Sequence, residues 1–218
     1  MLKRSLAAAV FAVALNGVAF ADEHMDQQVA GLAQAWDHAQ FVTTAREGRL
    51  AEFARLDTQA DALVRAYPSA AEPLVWQAII LSSEAGVEGG LGALGKVTHA
   101  RDILLQAERI NPNALGDGSI YTSLGSLYAQ VPGFPIGFGN RDRARDYLQR
   151  ALRANPNGIE PNYFMADYLV RGNDFAAARP YLERARNAPA RPGREAADNG
   201  RRRDVATLLT QVNAHASR

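Results

Sequence analysis

The residues best suited to chemistry in this chain are sparse and poorly spaced for it. Four histidines, His24, His38, His99 and His215, are scattered, and none stands in the H-x-x-x-H or H-E-x-x-H spacing that holds zinc. The chain has no cysteine to act as nucleophile or soft ligand, and no G-x-S-x-G to present a serine. Gly90–Lys96, GLGALGK, approaches a phosphate-binding loop. That loop needs Ser or Thr directly after the lysine to ligate magnesium, and a strand before it. Here Val97 follows, and Trp76–Ser82 reads as helix, so Ser83–Val97 is expected to be a glycine-rich connection between two helices. Asp142 and Asp146 are carboxylates one helical turn apart, but Arg141, Arg143 and Arg145 surround them. They read as local ion pairs on a wet surface. Glu160 and Asp167 fall on or near a helix expected to line a groove, where a carboxylate pair could serve catalysis. The expectation is a protein that is not an enzyme, with no metal and no cofactor.

The elements that would position these residues are announced by a recurring pattern. In Gly118–Pro156, the residues Tyr121, Leu124, Gly125 and Tyr128 share one helix, and Ala144, Leu148 and Ala151 the next, with Pro156 closing the unit. Small residues at Gly125 and Ala144 suit a close helix crossing, with Tyr128 and Leu148 filling the space beside it. Upstream, Trp76, Ala78 and Leu81 precede Ala100, Leu104, Ala107 and Pro112; downstream, Phe164, Ala166 and Leu169 precede Phe175, Ala178, Leu182, Ala185 and Pro189. The interval from Pro68 to Pro112 equals that from Pro112 to Pro156, and Pro73 and Pro161 fall where a helix would take proline in its first turn. These spacings match the tetratricopeptide repeat. The fold expected is therefore all-α, with tetratricopeptide-like helical-hairpin repeats forming a right-handed superhelix of about six to eight helices.

The repeats are expected over about 69–112, 113–156 and 157–190, within one domain spanning 22–218. Residues 22–68 read as a degenerate N-terminal cap, with Val29, Leu32, Ala33 and Trp36, then Leu50, Phe53, Leu56, Ala60, Leu63 and Val64, at helical spacing and a break at Gly48. His38 beside Trp36 reads as structural. A capping helix is expected over about 201–214, reached by a mobile loop, Asn187–Gly200, rich in Pro, Arg and Gly. Met1–Ala21 reads as a signal peptide: Lys3 and Arg4, an apolar run over Leu6–Leu15 too short to span a bilayer, and Ala19-Phe20-Ala21 as the cleavage site. Export to the periplasm, or secretion beyond it, follows. Without cysteine there is no lipidation site and no disulfide, so packing alone must hold the fold.

A net charge of +1 gives no reason to expect nucleic acid. The one local excess, Arg184, Arg186, Arg191, Arg194 and Arg201–Arg203, reads as a solvated face or a docking surface. The insertion Val131–Asn140, VPGFPIGFGN, cannot be helical, yet is too apolar to stand exposed. It is expected to fold back on Tyr121 or Tyr128; the alternative is that Phe134 and Phe138 line a pocket or face a partner.

Trp76–Ala185, and the PGFPIGFG loop above all, resembles the T-component family of TRAP transporters, the TatT-like proteins of the bacterial envelope. The resemblance implies an all-α superhelix that associates with a transporter or its periplasmic substrate-binding protein. It also implies a pore through the helical bundle that can take a hydrophobic small molecule. Many such proteins are lipoproteins, and this chain lacks the cysteine for that. Two functions of different class are thus expected to compete. The first is a scaffold docking a protein or peptide of the cell envelope, with Gln77, Thr122, Ser126, Tyr163 and Asp167 facing the groove. The second is a carrier of an apolar ligand held by Trp76, Tyr121, Phe134 and Phe138. A second copy of the chain is a further candidate partner; nucleic acid, and a membrane span in the mature chain, are not expected.

Overall fold

A computed structural model describes the backbone of residues 6–216 and the side chains of residues 23–215. The expected leader, Met1–Ala21, lies outside the residues whose side chains are described. Among the described residues the protein is all-α, with nine helices and no strand. They are α1 (Leu6–Phe41), α2 (Arg46–Ala66), α3 (Glu72–Glu88), α4 (Ala93–Ile110), α5 (Ser119–Gln130), α6 (Arg141–Ala154), α7 (Ile159–Arg171), α8 (Phe175–Arg186) and α9 (Glu195–Ala216). None is long and apolar enough to cross a membrane.

The second helices of the three repeats show why the chain folds in hairpins. Ala100–Leu104–Ala107, Ala144–Leu148–Ala151 and Ala178–Leu182–Ala185 have the same spacing, and all are 0% exposed. Each triad puts two small residues and one large one on a single helical face, and that face packs on the preceding helix. The α5–α6 crossing is close at Gly125 of α5, where an added Cβ would stand 2.7 Å from Leu148 Cγ of α6. Asn140 and Asp174 cap α6 and α8 by accepting from the backbone N–H of Arg143 and Ala177. Pro73, in the first turn of α3, costs no helical hydrogen bond.

The hairpins close on themselves. The odd-numbered helices touch in the order α1, α3, α5, α7, α9, and α9 returns to α1; each even-numbered helix packs outside, between two odd ones. The apolar core therefore lies between these two layers, in three clusters rather than one. The N-terminal cluster joins Trp36, Phe53 and Leu56 to Trp76 and Ile80, and the C-terminal one joins Leu182 to Val205 and Val212.

Several expectations change. The first break falls over 42–45 instead of at Gly48, which sits in the first turn of α2. The Ser83–Val97 insertion is mostly helical, because α3 runs to Glu88 and α4 starts at Ala93, leaving a short turn with Gly89 and Gly90 at positive φ. Lys96 is held by Glu84 at 2.7 Å and Glu88 at 2.6 Å, which occupies the ammonium that a phosphate loop would need free. Among the described residues Asp142 and Asp146 make no ion pair with their neighbours; instead Arg143 donates to the Tyr128 hydroxyl and Arg141 lies over Tyr168. The final helix begins at Glu195, so Gly200 is helical, and there it meets the Phe41 ring where α9 crosses α1.

Gly125→Val should cost about 2 kcal/mol or more, because backbone and Leu148 both stand in the way. Gly31→Ala should instead gain up to about 1 kcal/mol, since α1 leaves open space around it. Urea unfolding of both variants checks the contrast; a destabilised Gly31→Ala or an unaffected Gly125→Val would contradict this packing.

Candidate central cavity

A cavity of about 700 Å³ opens inside the cycle of odd-numbered helices. Of the residues expected at a site, Trp76, Thr122, Ser126, Tyr163 and Asp167 line it. Trp76 meets Trp36 edge-on at 5.9 Å, and the Trp36 indole N–H donates to Ser83 Oγ at 2.8 Å. Phe164 packs edge-on against Tyr163 at 5.2 Å, so aromatic faces stand on both α1–α3 and α7. Thr122 spends its hydroxyl on Gly118 O, and Asp167 accepts from Arg171 at 2.7 Å.

The other four expected residues lie elsewhere. Gln77 turns toward α2, where it is buried beside Asp57. Tyr121 faces α6: it stacks on Tyr147 at 6.5 Å under the Arg150 guanidinium. Phe138 packs edge-on with Tyr128 at 5.5 Å and Arg101 lies over its ring, so half of the insertion folds back as expected. Phe134 does not: it is 94% exposed, and Ile136 is 61% exposed. The reason is local. Gly139 N–H donates to Pro132 O and closes the loop's neck, while Ile136 and Gly137 N–H both reach Gly133 O, which drives 134–136 to the outer bend.

The cavity wall also contains residues that the sequence placed on a wet surface. Arg191, Arg194 and Arg201 all line it. Arg194 forks onto Asp37 of α1, with Nε donating at 2.6 Å and Nη2 at 2.7 Å. Its guanidinium also lies 5.2 Å from the centre of the Trp76 ring. Asp37 is 2% exposed, and burial pushes its carboxyl above the ordinary range against the pull of Arg194. Arg201 donates to Glu160 at 2.8 Å and Asp204 at 2.9 Å and sits over the rings of Phe41, Tyr163 and Phe164. Arg191 reaches Asp198 at 2.7 Å through its side chain and again through its backbone N–H. The segment between α8 and α9 is thus tied down by ion pairs at Arg191 and Arg194. A buried charge is tolerated only with such a partner. The signal that could have exposed this network is the spacing of acids and arginines in Glu195–Asp204, which fits helical i,i+3 pairing.

Outside the cavity, Tyr128, Tyr147 and Tyr121 form a stack between α5 and α6. The Tyr147 hydroxyl donates to Glu108 of α4, and burial together with that carboxylate pushes its pKa up to about 12. The folded state therefore keeps this proton when the unfolded chain, near the ordinary value of 10.0, has lost it. Stability should fall as pH rises from 10.0 toward about 12. Tyr147→Phe should flatten that slope, read by thermal melts at stepped alkaline pH; an unchanged slope would contradict the assignment.

Asp37→Ala should leave Arg194 buried without its partner and cost about 3 kcal/mol, measured by urea unfolding. A loss below about 1 kcal/mol would mean that the pair behaves as a surface ion pair. Among the described residues, no group of three or more His, Cys, Asp or Glu is placed to hold a metal ion. No protein-family model matches the chain, and no curated protein matches it either.

Proposed function

We propose that this protein is a tetratricopeptide-like superhelix of the cell envelope that holds an apolar or amphipathic small molecule in its central cavity. The observation that carries this reading is the closure of the odd-numbered helices into a cycle around about 700 Å³. That volume falls within the roughly 300–1,000 Å³ of small-molecule sites. A peptide docking along a concave groove would need an open inner face, and here α9 and the segment before it cross that face. The aromatic faces of Trp36, Trp76, Tyr163 and Phe164 support an apolar body in the ligand. The role is carriage or sensing without catalysis, in keeping with the resemblance to TatT-like proteins. Export by the Met1–Ala21 leader would bring it to the periplasm.

Native mass spectrometry of the protein, purified gently from the cell envelope fraction, tests this reading. The expected result is a small extra mass that organic extraction removes. A protein-sized adduct without any small mass would support the scaffold instead, and bare chain in every preparation would count against both.

A second reading keeps a protein partner, such as a transporter's substrate-binding protein, alongside the ligand. It rests on Phe134 and Ile136, which project from the α5–α6 loop without cover. Phe134→Asp should leave the melting temperature within about 1 °C of the parent, because an exposed side chain contributes little to folding. The same variant should lose any partner captured by crosslinking in the parent preparation. A large drop in melting temperature would show that this loop belongs to the core.

A further inference from the structure

Five arginines line the central cavity: Arg49, Arg171, Arg191, Arg194 and Arg201. Four of them are neutralised within the wall. Arg171 pairs with Asp167, Arg191 with Asp198, Arg194 with Asp37 and Arg201 with Glu160, at 2.7, 2.7, 2.6 and 2.8 Å. Arg49, in the first turn of α2, is different. Its Nη2 donates to the amide oxygen of Gln40 at 3.1 Å, a neutral acceptor. Its Nε is buried and has no hydrogen-bond partner. Among the described residues no carboxylate stands in ion-pair contact with it. Its guanidinium carbon lies 6.0 Å from the centre of the Phe53 ring, an aromatic face that carries no net charge.

A guanidinium turned into a partly enclosed space, with a buried N–H unsatisfied, is in want of an anion. Its planar fork matches a carboxylate better than any other common group. Arg49 shares the cavity wall with the paired rings of Trp36 and Trp76. Resting on the cavity reading above, we infer that Arg49 is an anion-binding subsite of this cavity, and that the ligand is an amphiphile with one carboxylate. The carboxylate meets Arg49 and Gln40, and the apolar body lies along the tryptophan wall.

The protein supplies its own reporter, because Trp36 and Trp76 are its two tryptophans and both line the cavity. Octanoate and octanol, which share an apolar chain and differ in charge, are titrated against intrinsic fluorescence in the parent, in Arg49→Gln and in Arg49→Lys. The parent should bind octanoate roughly tenfold or more tightly than octanol, the value of a charge-assisted contact over a neutral one. Arg49→Gln should abolish that preference while octanol still binds, and Arg49→Lys should keep part of it. Octanol binding to Arg49→Gln doubles as its folding control, and the parent's preference needs no variant at all. Equal affinity of the parent for both probes, or an undiminished preference in Arg49→Gln, overturns the subsite and leaves the cavity reading standing. Failure of both probes to bind the parent overturns the two together.

Discussion

The constraint on which the rest of this structure depends is that the last helix must return to the first. Helices stacked side by side bury their faces against neighbours, but the two terminal helices have one neighbour too few. Here α1 and α9 resolve this by packing on each other, and two features of the seam make it specific. Gly200 lets the α9 backbone approach the Phe41 ring where any Cβ would collide with it. The Asp37–Arg194 fork then fixes the register, because a carboxylate that is 2% exposed has no acceptable alternative partner. Arg203 adds a bond to the carbonyl of Phe41 at the end of α1.

Closure changes what the centre of the molecule can be. The apolar side chains are satisfied between the inner and outer layers, so the middle of the cycle need not be core. It is instead walled by a mixture of tryptophan, hydroxyl and arginine–carboxylate pairs. Those pairs make the inner wall rigid at little net gain in stability, since desolvation offsets much of their attraction. The outer side shows the opposite economy of charge: tyrosines and Phe138 stack under Arg101, Arg143 and Arg150, where cation–π contact and solvent coexist.

The hairpins were legible because their signal is local and repeated. An Ala-x-x-x-Leu-x-x-Ala face needs only helical periodicity to be seen, and each of its instances is fully buried. Thr122, Ser126, Tyr163 and Asp167 as groove residues, and Trp76 as an apolar-ligand residue, fall on the cavity wall for the same reason, since first helices face inward. Tyr121 and Gln77 sit on those same helices but on the flank toward the outer layer, a distinction of roughly one residue in helical phase. The seam was not legible. Asp37 and Arg194 are 157 residues apart, and no local spacing links the two. Phe134 misled in the other direction, because an aromatic residue reads as buried until the hydrogen bonds of its turn are known.

Closure of the cycle is the claim from which the cavity and its ligand follow, and a distance across the seam tests it most directly. The chain has no cysteine, so Thr44→Cys and Ala206→Cys accept spin labels on exposed sites in the turn after α1 and within α9 without competition. Pulsed dipolar spectroscopy in solution should give one short, narrow distance between them. A long or broad distribution would mean an open spiral, with a groove in place of the partly enclosed central cavity.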